Sequence, residues 1–316
     1  MEHHADPGVR CLAGVALAVH DLGAAIDDFQ RLGLVLSERS KRPEWGLDTA
    51  TFGFANGSYL ELVAPVDPGN PVGGTVRAYL DRHGEGVYIA SFEVADVYAT
   101  EQVLQEAGIP LAGPAQSAPE SAGLAADMLW VKPRATGSAF TQFLSFRGGE
   151  RGFPVTTPDM RLFTHVYAVR DMAAVNRVFG ALGHQPWAQY CTTLWGLDTT
   201  VFRFADHSNA EIVSPLDESC EVARVVAAAM RDRGQGHYMT VFEVPDVGAL
   251  ADRLRADGVR TLGVPAPAPA ESPWGPCEQL WVHPGITHGA FVEFLTLPPA
   301  PAGTAGAAAP AGAGRG

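Results

Sequence analysis

The chain has 316 residues, 47% of them hydrophobic and 18% charged, with a formal net charge of -13. That length can bury a large core and allows two domains, and the composition is that of a folded globular protein rather than a disordered one. The acidic balance excludes nucleic acid as a partner, because a polyphosphate needs a cationic face.

The longest apolar stretch near the N-terminus, residues 11–19, is too short for a bilayer and lacks the basic start and cleavage region of a signal peptide. The expected location is therefore cytoplasmic, with no membrane partner. The four cysteines, Cys11, Cys191, Cys220 and Cys277, form no CxxC pair, so neither a zinc ribbon nor a disulfide framework is indicated.

After an N-terminal extension (1–11), a short apolar strand over 15–19 runs into Asp21, which suits a helix N-cap. Ala25, Ile26 and Phe29 then recur at helical spacing until Gly33 stops the helix. Strands follow over 49–54 and 59–63, joined by the turn Ala55-Asn56-Gly57. The pattern restarts with a strand over 87–94, Asp96 and a helix to Gly108, and closes with strands over 128–131 and 139–146. The Pro-, Ala- and Ser-rich segments 109–126 and 262–276 read as loops covering a cavity. The low-complexity tail 298–316 reads as disordered.

The same series then repeats. Trp45-Gly46-Leu47-Asp48-Thr49 recurs as Trp195-Gly196-Leu197-Asp198-Thr199, 150 residues later, and that offset also relates Asp21 to Asp171, Gly33 to Gly183, Glu61 to Glu211 and Phe92-Glu93-Val94 to Phe242-Glu243-Val244. Leu129-Trp130-Val131 matches Leu280-Trp281-Val282 at an offset of 151. One inserted residue over so long a match marks a tandem duplication. The expected fold class is α+β: four βαβββ modules forming two half-barrel domains over 12–147 and 162–297, joined by a linker over 148–161. The WGLDT segment, kept in both copies, reads as a feature of the fold.

Four such modules, with the segments Val15-Ala16-Leu17-Ala18-Val19-His20-Asp21-Leu22 and Tyr59-Leu60-Glu61-Leu62-Val63-Ala64-Pro65, resemble the glyoxalase, bleomycin-resistance and extradiol-dioxygenase (vicinal-oxygen-chelate, VOC) superfamily, and in particular its glyoxalase-like domains. Gly84-Glu85-Gly86 leading into Phe92-Glu93-Val94 is similar to methylmalonyl-CoA epimerases. The resemblance implies that paired modules curl a sheet into a cup. There a divalent metal, held by a His on each module's first strand and a Glu on its last, polarises two adjacent substrate oxygens.

Placed on that pattern, the N-terminal cup offers Gly14, Glu61, Ile89 and Gln142, which implies no metal there. The C-terminal cup offers Thr164, Glu211, Met239 and Glu293, with His237 two residues before Met239 and so expected on the same side of its strand. The resemblance therefore implies one divalent metal (Fe, Mn, Ni or Zn) on Glu211, His237 and Glu293 in the C-terminal domain. Alternatively, His237 is a hydrogen-bonded residue at the cup mouth. His165 lies one residue off the ligand register and reads as packing. Glu211 and Glu293 sit among apolar neighbours, where a carboxylate needs a metal, a cation or a proton. His283 and His288 read as exposed.

Three functions follow. The first is an enzyme acting on a small oxygenated organic molecule by metal-assisted lyase, isomerase or dioxygenase-type chemistry, with Glu293, Glu211 and His237 catalytic and Glu61, Gln142, Thr164, Met239 and Tyr238 contacting substrate. The alternative is a metal-free protein that binds or sequesters a small molecule. Paired carboxylates shuttling a proton without a metal form a third option. Either a monomer or a homodimer suits the four-module chain.

Overall fold

The computed structural model describes residues 8–119, 124–149 and 153–298. Beyond Pro298, the tail read as disordered lies outside the described residues, as does most of the N-terminal extension. The first copy runs β1 (Val9–Ala18), α1 (Leu22–Arg31), β2 (Leu36–Arg42), β3 (Leu47–Gly53), β4 (Tyr59–Pro65), α2 (Pro71–His83), β5 (Gly86–Val94), α3 (Val97–Glu106), β6 (Gln116–Ser117), β7 (Ala126–Val131) and β8 (Phe140–Phe146). The second runs β9 (Arg161–Ala168), α4 (Met172–Ala181), β10 (Ala188–Thr192), β11 (Leu197–Arg203), β12 (Asn209–Pro215), α5 (Glu221–Arg233), β13 (Gly236–Glu243), α6 (Val247–Ala256), β14 (Thr261–Pro267), β15 (Glu278–Val282) and β16 (Phe291–Thr296).

Each copy forms one eight-stranded mixed sheet, in the order β2-β3-β4-β1-β5-β8-β7-β6 and β10-β11-β12-β9-β13-β16-β15-β14. The four module helices α1, α3, α4 and α6 all begin at an aspartate, Asp21, Asp96, Asp171 or Asp246, whose side chain accepts first-turn backbone N–H groups. Their apolar faces and one face of each sheet merge into a single core shared by both copies, from Leu12, Phe29 and Phe92 to Tyr167, Phe179 and Phe294. The opposite faces form the two cups. None of the described helices is long and apolar enough to cross a membrane.

The WGLDT repeat is explained by its glycine. Gly46 and Gly196 adopt positive φ (64° and 66°), and their carbonyls accept the paired N–H groups of Val66 and Asp67 or of Leu216 and Asp217. A Cβ on Gly46 would lie 2.7 Å from the Asp67 carbonyl oxygen, so a left-handed, side-chain-free residue is required there.

The segment read as a loop over 262–276 begins as strand β14, pairing Thr261 with Val282 and Ala266 with Gln279. Its prolines are tolerated because β14 lies at the sheet edge, where one side of the backbone needs no partner. His288, expected on the surface, instead bonds Glu85 Oε2 through Nδ1 at 2.9 Å and so ties the copies together.

Candidate functional site

In the C-terminal cup, β12 and β16 flank the central strands β9 and β13. Glu211 is opposite Val166 on β9, and Glu293 is opposite Val241 on β13. Both strands alternate regularly, so Ala210, Ile212, Val292 and Phe294 fall on the core face while the two glutamates face the cup. Tyr190 OH donates to Glu211 Oε1 at 3.5 Å, and Trp281 Nε1–H donates to Glu293 Oε2 at 3.1 Å.

Burial pushes the Glu211 carboxyl up to about 7. For Glu293, burial and then the Glu211 charge push it up to about 8. Neighbouring groups respond to the same pair: Glu293 helps raise the Cys277 thiol to about 11, after burial, and burial followed by Glu211 holds the Tyr190 hydroxyl well above its ordinary value.

The walls are aromatic. Trp195 meets Trp281 edge-on with centroids 6.3 Å apart, and Trp274 meets Phe163 edge-on at 4.9 Å and stacks on Trp187 at 5.0 Å. The Arg203 guanidinium lies 4.6 Å from the Trp187 ring centroid, a cation–π contact. Trp274 belongs to the segment after β14, so that segment packs onto the rim of the cup. Thr164 is buried and its hydroxyl accepts from Asn209 Nδ2 at 3.2 Å; Met239 and Tyr238 pack in the same cup cluster. Tyr238 also stacks on Phe291, and its hydroxyl is raised by burial and by Glu293.

His237 does not join this site, contrary to its expected position. The ladder between β13 and β9 slips between His237 and Met239, leaving Tyr238 as an extra, bulged residue. A bulge breaks the two-residue alternation, so His237 turns to the face away from the cup. There it meets His165, which lies on the core face as its register indicated.

His237 Nδ1 is 2.8 Å from His165 Nε2, and His237 Nε2 is 3.1 Å from the Phe140 carbonyl oxygen. A carbonyl can only accept, so His237 carries its proton on Nε2 and accepts at Nδ1 from His165 Nε2–H. His165 Nδ1 is buried with no partner. Burial lowers both imidazoles, His237 to about 4. Both nitrogens of His237 are thus engaged outside the cup.

A metal on Glu211, His237 and Glu293 therefore does not fit. The two histidine slots hold Thr164 and Met239, and both carboxylates already accept from Tyr190 and Trp281. No group of three or more His, Cys, Asp or Glu side chains able to hold a metal occurs among the described residues.

The N-terminal cup is filled by its own side chains. The Tyr59 ring lies over Gly14, where a Cβ would be 2.6 Å from it, and packs against Phe153 with centroids 4.3 Å apart. Gln142 Oε1 accepts from Ser91 at 2.7 Å, while burial pushes Glu61 up to about 7 against the Arg42 charge.

Tyr190, Trp274 and Trp281 are site residues that sequence reasoning missed. Trp281 had a signal, since it sits in the repeated Leu-Trp-Val segment one strand from Glu293.

Residues 15–131 match the glyoxalase-like domain family. Over 92% of this chain and 93% of its own, a triple mutant of 4-hydroxymandelate synthase from Streptomyces coelicolor is similar in fold, at 15% identity and a TM-score of 0.70. Methylmalonyl-CoA epimerase from Mycobacterium tuberculosis is similar over 44% of this chain and 88% of its own, at 23% identity and a TM-score of 0.37. Comparison with curated proteins finds no match. Residues 15–131 thus carry a match to the glyoxalase-like domain, and the two tandem copies together share the fold of that synthase structure.

Proposed function

We propose that the C-terminal cup acts on a small oxygenated aromatic molecule by moving a proton between Glu211 and Glu293, without a metal held by a histidine–carboxylate set. The observation that carries this reading is the pair itself: the half-buried Glu211 and the buried Glu293 facing one interior, with proton affinities lifted to about 7 and about 8. Near neutral pH such a pair holds about one proton, so one member accepts while the other donates.

In the step proposed, Glu211 takes a proton from a carbon next to a substrate carbonyl. Glu293 gives its proton to the carbonyl oxygen as the enol forms, and reversal at either carbon completes a tautomerisation or epimerisation. Tyr190 and Trp281 hold the two carboxyls in place, and the Trp187, Trp195 and Trp274 rings exclude water and pack against an aromatic substrate. Thr164, Met239 and Tyr238 complete the lining. The filled N-terminal cup, with Glu61 and Gln142, has a supporting role.

Solvent-deuterium exchange into the benzylic position of phenylpyruvate, followed by NMR, tests this. The wild-type chain accelerates exchange over buffer, Glu293→Ala lowers that acceleration at least 100-fold, and Gln142→Ala changes it less than threefold. No acceleration by the wild type, or equal losses in the two variants, would overturn the reading.

A further inference from the structure

A cleft of about 430 Å³ opens at the junction of the two copies, between α2 and β5 of the first and α5 and β13 of the second. Its walls hold the same aromatic pair from each copy. Tyr88 stacks on Phe140 with centroids 5.8 Å apart, and Tyr238 stacks on Phe291 at 4.9 Å. Neither tyrosine hydroxyl has a hydrogen-bond partner among the described residues.

The rim is cationic, against the trend of a chain whose net charge is -13. Arg82 and Arg233 both line the cleft, and Arg82 has no acidic partner among the described residues. Arg233 donates from Nη1 to the Gly289 carbonyl, which aims the guanidinium along the rim and leaves its other N–H groups free of described partners. The one carboxylate in the lining, Glu85, is already taken, accepting from the His20 backbone N–H at 2.6 Å and bonding His288 Nδ1 at 2.9 Å. Two unneutralised guanidinium groups above two stacked aromatic pairs with free hydroxyls match one ligand chemistry: a flat ring bearing a single negative charge.

We propose that this cleft is a second binding site, separate from the carboxylate pair, that takes a small aromatic carboxylate. The ring packs between Tyr88 and Tyr238, and the carboxylate is held by Arg82 and Arg233. Tyr238 lines this cleft and also packs against the cluster that lines the C-terminal cup, so it is a wall common to both. Occupancy here therefore reaches the cup through one side chain.

Calorimetric titration of the full chain with phenylacetate, and with its neutral analogue phenylacetamide, tests the assignment. Phenylacetate binds at least tenfold more tightly than the amide. Arg82→Gln, an exposed change that breaks no described contact, weakens phenylacetate at least fivefold, and Arg82→Gln with Arg233→Gln removes measurable binding. Glu211→Gln leaves phenylacetate affinity within twofold. The proposal is overturned if phenylacetate does not saturate a site, if acid and amide bind alike, or if Arg82→Gln changes nothing. It is also overturned if Glu211→Gln abolishes binding while the arginine variants retain it, which would put phenylacetate in the cup and leave the carboxylate-pair reading intact.

Discussion

Replacing Glu293 by Gln should flatten the dependence of stability on pH. In the folded chain the Glu293 carboxyl is raised from its ordinary 4.5 to about 8. A carboxyl raised on folding contributes stability that is fully present below 4.5 and lost as pH rises through the folded value, because above it the native state must either bury a charge or hold a proton that the unfolded chain has released. At about 1.4 kcal/mol for each tenfold change in proton affinity, the gap corresponds to about 5 kcal/mol. Part of it is repulsion from Glu211, so about 3–5 kcal/mol is the loss expected for this group between pH 5 and pH 9.

Glutamine keeps the shape and still accepts the Trp281 Nε1–H bond, so Glu293→Gln should match the wild type within about 1 kcal/mol at pH 5. At pH 9 it should be more stable by about 3 kcal/mol or more, since it no longer buries the Glu293 charge beside Glu211. Urea unfolding at pH 5, 7 and 9 reads this from the midpoints. Glu61, the buried histidines and the tyrosines are common to both proteins and cancel in the difference. Parallel pH profiles for the two proteins would refute the claim that Glu293 is buried with a raised proton affinity.

The His165–His237 pair predicts the opposite pH trend. Both imidazoles are lowered on folding, so their contribution is present above about 6.5 and lost as pH falls, for His237 through about 4. The double variant His165→Val with His237→Val copies Val15 and Val87, which occupy the matching core positions of the first copy. Relative to the wild type it should gain about 2–4 kcal/mol on going from pH 8 to pH 5; no change in the difference would place the imidazoles in solvent. Chelation provides a further test: the melting temperature should move by less than 1 °C in excess EDTA, and elemental analysis should find well under one transition metal per chain, whereas stoichiometric metal lost together with Glu211→Ala would restore the metal-assisted reading.

How much could be read beforehand depended on regularity. The duplication, the aspartate-capped helices and the placement of Glu211 and Glu293 all rest on unbroken alternation or on repeated capping chemistry, and these are local. His237 departs from its expected face because a single bulged residue, Tyr238, reverses the alternation, and Gly236 two residues earlier is the one local mark of it.

The helices α2 and α5 carry local signals of their own. Asn70 caps α2 ahead of Pro71 at its first position, and Ala223, Val226, Ala227 and Met230 line one face of α5. The filling of the N-terminal cup depends on Phe153, which reaches Tyr59 from 94 positions away in the chain. Contacts of that kind follow from how the linker packs and have no local signature. The aromatic rim had the same difficulty: Trp274 lies in a Pro-rich segment whose composition suits a solvated loop equally well.

The central claim is that Glu211 and Glu293 share one interior and hold a proton between them near neutral pH. Side-chain carboxyl carbon NMR of protein labelled at glutamate, assigned through Glu211→Gln and Glu293→Gln, measures it most directly. The account predicts that both resonances titrate between pH 6 and 9, and that removing Glu211 lowers the midpoint of Glu293. Two independent titrations near pH 4.5, each unmoved by the other substitution, would contradict it.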